Sequence, residues 1–255
     1  MALNPNSAGG KMYAETKSLF IINIRDDMCH DMRHIYAAYC EEDLPVKICV
    51  LFSSPRPEGN TMHLLEPVVE ELERLGHTCK GFSLYKMNLK PCIACRSCQE
   101  DWSLFGCVHR DDLVEIFDEV LGSDLILLAS PVYSWYCTPP LKIVLDRLVY
   151  GMNKYYGGTM GPSLWKGKSM ALVTTCGYPV EKGADLLEEG LKRYCKHSGL
   201  RWQGMLAARQ RNLNDPFMDE EKRKQAVAFA SQLSDAICGG KENSNVSVVC
   251  TAEEE

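Results

Sequence analysis

The 255-residue sequence is most informative first through what it lacks. No run approaches the roughly 18 apolar residues that a membrane-spanning helix needs. Basic charge is not in excess: Lys and Arg total 28 against 34 Asp and Glu, a net charge of −6. An acidic chain of this kind argues against general nucleic-acid affinity and against a polybasic membrane contact. No G-x-G-x-x-G occurs, which weighs against a Rossmann dinucleotide site. The segment Gly161 to Ser169 imitates a phosphate-binding P-loop, but five residues separate Gly161 from Gly167 where that loop has four, and a strand follows it. The six histidines form no H-E-x-x-H, and no Ser/His/Asp arrangement is legible. A polar start from Met1 to Lys11 predicts no secretory leader.

Cysteine, in contrast, is abundant, with 13 residues. Cys92, Cys95, Cys98 and Cys107 crowd into one short stretch, and the others are scattered. An odd total and scatter suit reduced thiols in a cytoplasm, the location expected here.

Residues 1–44 read as an N-terminal extension, with one short apolar run and one helical spacing of Met and Tyr. From Val46 the chain alternates. Strands are predicted at Val46–Phe52, His77–Tyr85, Leu125–Ala129, Ser169–Thr174 and Leu200–Ala207. Helices are predicted at Asn60–Leu75, Asp111–Leu121, Pro139–Tyr150, Gly183–His197 and Asp219–Ile237. Residues 240–255 are polar and read as a disordered tail. Apolar strands alternating with helices predict an α/β domain over residues 45–239: a doubly wound, five-stranded parallel sheet in the flavodoxin-like order 2-1-3-4-5. Ligands of such sheets bind beyond the carboxyl ends of the strands, at the switch point between strands 1 and 3.

Three loops fall at that edge. After strand 1, Ser53 to Thr61 combines hydroxyls, Arg56, a glycine and a helix start, a pattern able to cradle an anion. The same segment also reads as an ordinary turn with Asn60 or Thr61 as N-cap. After strand 3, Tyr133, Trp135 and Tyr136 are placed to wall a flat ring, or to pack as core. After strand 4, Thr175, Cys176 and Gly177 allow close backbone approach.

Between strand 2 and the next helix, residues 91–108 form a Cys-rich insertion. The spacing Cys92-x2-Cys95-x2-Cys98 suits three corners of an iron–sulfur cube, with Cys107 in reach as the fourth. Zinc held by four thiolates fits the same ligands, and so does no metal at all.

The sequence of motifs Ser-Pro-Arg-x-x-Gly-Asn-Thr, Pro-Cys-x-x-Cys-x-x-Cys and Ser-Pro-Val-Tyr resembles the NADPH-dependent FMN reductase family over about Val46 to Ile237. The cysteine pattern is similar to its iron–sulfur flavoprotein branch, with a longer last spacing than is usual there. The resemblance implies that Ser54, Arg56, Asn60 and Thr61 hold the FMN phosphate. It implies that Pro131, Val132, Tyr133 and Ser134 line the flavin ring, with Thr175, Cys176 and Gly177 touching it. It implies a [4Fe–4S] cluster on Cys92, Cys95, Cys98 and Cys107, and a homodimer or homotetramer.

The expected function is therefore an FMN-dependent oxidoreductase with NAD(P)H as co-substrate. Electrons would pass to a small acceptor (a quinone, a flavin, a nitro or unsaturated compound) or through the cluster to a ferredoxin-like redox partner. No side chain is assigned as a general acid or base. Tyr133 and Cys176 are the candidates for tuning the flavin. Two other classes stay open: a non-enzymatic flavodoxin-like electron carrier, and a flavin-free interaction protein with a four-cysteine zinc site. Bleaching of bound flavin by NAD(P)H separates the first two, and a colourless protein marks the third.

Overall fold

The computed structural model describes residues 45–212, 215–239 and 247–250. The chain divides into Met1–Asp43 and Leu44–Glu255. The extension expected over residues 1–44 lies outside the described residues.

In chain order the elements are β1 Lys47–Phe52, α1 Asn60–Arg74, β2 Thr78–Ser83, α2 Leu113–Gly122, β3 Leu125–Pro131, α3 Pro139–Met152, β4 Ser169–Cys176, α4 Val180–Gly183, α5 Asp185–Ser198, β5 Arg201–Arg209, α6 Glu220–Cys238 and β6 Ser247–Cys250. All strands pair in parallel, in the order β2-β1-β3-β4-β5-β6. The five expected strands thus stand in the flavodoxin-like order. The sixth corrects the expectation of a wholly disordered tail: Ser247 to Cys250 pairs with Met205 to Ala208 of β5. A four-residue strand after a polar stretch is too short to stand out by periodicity.

Period-two alternation explains why the central strands read as continuous apolar runs. In β3, Leu125, Leu127 and Ala129 face one core with α1 and α6, while Ile126 and Leu128 face another with α2, α3 and α5. β2 is largely exposed, as befits an edge, and it gave the weakest sequence signal.

Two predicted helix starts move for local reasons. α2 begins at Leu113, not at Asp111, because the paired acids are engaged elsewhere: Asp112 Oδ2 accepts from the Asn88 N–H at 2.7 Å, and Asp111 binds Arg147. The helix predicted at Gly183–His197 starts at Asp185 as α5, Gly183 instead closing the short preceding helix α4. Among the described residues, no helix is long and apolar enough to cross a membrane.

Candidate functional site

β1 ends in the buried pair Ser53 and Ser54. Ser54 folds its loop tightly: its Oγ accepts from the Arg56 N–H at 3.2 Å and donates to the Arg56 carbonyl at 3.1 Å. Arg56 itself is exposed. α1 then opens without a side-chain cap, so the ordinary N-cap reading fails here. Among the described residues, the first backbone bond closing its opening turn is Met62 N–H to Gly59 O at 2.8 Å. The N–H groups of Asn60 and Thr61 are the orphan donors of a helix start, at its positive end.

Hydroxyl and amide pairs lock the loops of this edge together. Thr61 Oγ1 lies 2.8 Å from Thr175 Oγ1, joining α1 to the end of β4. Ser53 Oγ lies 2.6 Å from Thr138 Oγ1, which donates to the Ser53 carbonyl at 2.8 Å. Asn60 Nδ2 donates to Gln210 Oε1 at 3.1 Å. The Val132 N–H reaches the Thr175 carbonyl at 2.8 Å, and the Gln210 N–H reaches the Cys176 carbonyl at 2.9 Å. The buried hydroxyls of this edge are thus paired.

The aromatic loop is a tight turn closed in both directions between Tyr133 and Tyr136, at 2.8 and 3.0 Å. Its central residues, Ser134 and Trp135, have φ of 50° and 67°. Positive φ at both centres is the geometry that normally calls for Asn and Gly. Trp135 holds it by donating its indole N–H to the Lys182 carbonyl at 3.0 Å and by stacking on Tyr178 at 6.0 Å. Tyr133, Trp135, Tyr136 and Tyr178 all remain exposed. Sparsely populated backbone that displays exposed aromatics is a marker of a binding site.

All three predicted loops therefore meet at one edge. Ser54, Thr61, Thr175 and Cys176 are buried there, Asn60, Pro131 and Val132 half-buried, and Arg56, Tyr133, Ser134 and Gly177 exposed. The hydroxyls of Thr61 and Thr175 bond to each other. The Cys176 thiol packs into the core and donates to the Tyr178 carbonyl at 3.2 Å. Burial pushes it up to about 11, so it stays a neutral thiol. Thr138, Gln210 and Tyr178 complete the edge and were not singled out by sequence. Thr138 carries a signal in hindsight, as the N-cap of a helix that opens with two prolines.

The Cys-rich insertion builds a second site. Cys92, Cys95, Cys98 and Cys107 all line one cavity of about 120 Å³, with Phe105, Arg147 and Tyr150. None of the four is in a disulfide. Left-handed backbone at Ala94 (φ 53°) and Arg96 (φ 63°) curls the chain between them. Donors point at the sulfurs: Ala94 N–H to Cys92 Sγ at 3.4 Å, Gln99 Nε2 to Cys98 Sγ at 3.5 Å, Arg147 Nη2 to Cys107 Sγ at 3.2 Å. Hydrogen bonds from Ser97 lower the Cys95 thiol, while burial raises that of Cys98. His109 lines the cavity but is tied to the Pro91 carbonyl at 3.1 Å. Among the described residues, no three such ligands converge at metal-binding distance. The donor set itself is four thiols around one cavity with N–H groups on the sulfurs, which fits a thiolate-ligated centre such as an iron–sulfur cluster.

Phe105 closes this cavity by lying across Gly151 of α3. A Cβ built at Gly151 would sit 2.2 Å from the Phe105 ring. Gly151→Ala should therefore overpack the loop and cost about 1–3 kcal/mol. Urea unfolding checks it, and Phe105→Leu in the same chain should recover part of the loss; an unchanged midpoint would refute the close packing.

α3 links the sites. Thr138 precedes it at the crevice, and Tyr150 near its end lines the cysteine cavity, roughly 18 Å along the axis at 1.5 Å per residue.

An iron–sulfur flavoprotein of Methanocaldococcus jannaschii is 35% identical over 102 residues, covering 40% of this chain and 51% of that protein. One from Archaeoglobus fulgidus is 32% identical over 120 residues, covering 47% and 53%. The chain thus spans about half the length of these curated relatives. Among solved structures, an NAD(P)H:quinone oxidoreductase of Methanothermobacter marburgensis superposes with a TM-score of 0.57 at 18% identity, over 76% of this chain and 96% of that one. An FMN-dependent NADH-azoreductase of Bacillus anthracis, solved with FMN, gives 0.53 at 16% identity over 75% and 99%. These likenesses establish the fold. The family model for NADPH-dependent FMN reductase matches residues 46–196, more than half of the chain, and the chain belongs to that family.

Proposed function

We propose that this chain is an FMN-dependent oxidoreductase that takes electrons from NAD(P)H. They pass to a small acceptor of the quinone, flavin, nitro or unsaturated type, or through a cysteine-bound [4Fe–4S] cluster to a redox protein. The observation that carries the reading is that the loops after β1, β3 and β4, with the start of α1 and an exposed aromatic turn among them, are hydrogen-bonded to one another at the carboxyl edge of the sheet.

FMN, when bound, supplies the hydride and electron chemistry. The chain's own residues bind and orient. The N–H groups of Asn60 and Thr61, with the Arg56 guanidinium, suit a phosphate. Tyr133, Trp135 and Tyr178 supply the ring wall. Cys176 stays protonated and takes no part as a nucleophile. The four cysteines would hold the cluster. The chain functions as a homodimer or homotetramer in this reading.

Anaerobically purified protein should show flavin absorption and contain iron. NAD(P)H should bleach the flavin rapidly. No flavin band after incubation with FMN would sink the reading. Flavin that NAD(P)H leaves oxidised would support the carrier alternative, and zinc in place of iron would redefine the cysteine site.

A further inference from the structure

Lys154 has no task in the reading above. It follows α3 closely, and it is buried completely, with 0% exposure. Its Nζ donates to the carbonyl oxygens of Cys98 and Leu104, both at 2.7 Å. It thus pins two points of the loop that leads from the third cysteine to Cys107. Among the described residues, Lys154 makes no ion pair; Cys98 and Asp101 are the groups that act on it from farther away.

The contrast with the neighbouring cation is informative. Arg147 is equally buried, but the Asp111 carboxylate neutralises it through contacts of 2.6 and 3.0 Å. Lys154 has only carbonyl oxygens in direct contact, with the Asp101 carboxylate acting on it from farther away. Burying an ammonium without an anion is costly, and buried charges are normally paired. The position is not a soft surface rotamer. The Lys154 N–H bonds to the Pro162 carbonyl at 2.9 Å, and its own carbonyl accepts from Gly161 N–H at 2.6 Å. A Cβ built at Gly161 would stand 2.7 Å from the Lys154 Cβ. The backbone is clamped so that the side chain enters the cysteine loop.

The missing anion has an evident source. Four thiolates around an iron–sulfur cluster leave the centre net negative, and one unit more negative when reduced. We propose that Lys154 is the built-in counter-charge of the four-cysteine centre: its buried ammonium favours the reduced state and raises the reduction potential. The inference rests on the cluster reading above. The burial of Lys154 strengthens the effect of its charge.

The test uses the full chain, loaded anaerobically with iron and sulfide, with FMN content as the control for folding. Iron is counted, and the centre is titrated with dithionite under EPR detection. Each centre takes up one electron, and Lys154 keeps its proton. Lys154→Gln retains an N–H donor for the carbonyls without the charge, Lys154→Met removes both, and Lys154→Arg retains the charge. Lys154→Gln and Lys154→Met should lower the equilibrium constant for reduction at least tenfold, about 59 mV for one electron. Lys154→Arg should stay near the wild type. Loss of iron from the two neutral variants but not from Lys154→Arg also supports the role of charge. Loss of iron from all three, or wild-type potentials in the neutral variants, overturns it. A wild-type chain that takes up no iron overturns the cluster reading itself, and the inference with it.

Discussion

Arg147→Met should destabilise the chain by about 3–5 kcal/mol, the usual cost of removing one partner of a buried pair. The two side chains are 1% and 0% exposed. Both guanidinium Nη atoms engage Asp111, Nη1 also donates to the Lys90 carbonyl at 3.1 Å, and the group lies over the Phe105 ring at 5.8 Å. The variant leaves a carboxylate buried with the backbone N–H groups of Lys90, at 2.9 Å, and Leu113 to receive. The sign of the pH dependence follows. In the wild type, burial pushes the Asp111 carboxyl up, but Arg147 together with the Lys90 and Leu113 N–H groups outweighs it and holds the group below its ordinary value. That contribution to stability is full above the unfolded carboxyl value, near 3.9, and is lost as pH falls through the lowered folded value. Without Arg147, burial is opposed only by the Lys90 and Leu113 N–H groups, and the carboxyl shifts upward. The deficit of the variant is thus largest near neutral pH and shrinks in acid. Guanidinium unfolding at pH 7 and pH 4.5 measures it, and Asp111→Asn added to the variant should recover part of the loss. An equal deficit at both pH values, or one below about 1 kcal/mol, would show that the pair is not what holds the loop.

FMN should bind far more tightly than riboflavin, and Arg56→Ala should erase much of that difference. The phosphate is the only group that distinguishes the two ligands. A hydrogen bond to a charged group contributes about 1.5–3 kcal/mol, so the variant should bind FMN roughly tenfold to a hundredfold more weakly. Riboflavin, which offers no phosphate to Arg56, should bind the variant and the wild type alike. Arg56 is exposed, so folding should be untouched. Quenching of flavin fluorescence on titration reads both ligands. Equal losses for FMN and riboflavin would place the phosphate elsewhere.

The strands that carry the sheet were legible because both their faces are buried. Leu125 to Ala129 is apolar at every position, and each of its side chains enters one of two cores. The loops at the carboxyl edge were legible because their residue types are costly elsewhere: Ser and Thr at strand ends, and aromatics in a turn. Other features depend on tertiary partners. Asp111 looked like the start of a helix, and only the fold shows Arg147 claiming it from α3. Arg147 lies in an amphipathic pattern where a cation normally faces solvent. Lys154, between Asn153 and Tyr155, resembles an ordinary surface lysine until the insertion folds over it. β6 is a short strand with no periodic signal, made by pairing with β5.

The way the cysteine loop is seated has an evolutionary consequence. Gln99 grips the carbonyls of Tyr150 at 2.6 Å and Asn153 at 3.2 Å, Lys154 grips the loop in return, and Phe105 covers Gly151. Apart from Arg147, these anchors crowd the last turn of α3 and the residues just after it. The loop is thus a cassette plugged into one helix end. Its socket shares no residue with the three loops at the carboxyl edge of the sheet. A lineage can lengthen, replace or lose the cassette by changing a few positions around residues 147–154, while the crevice at the other end of α3 passes unaltered to its descendants.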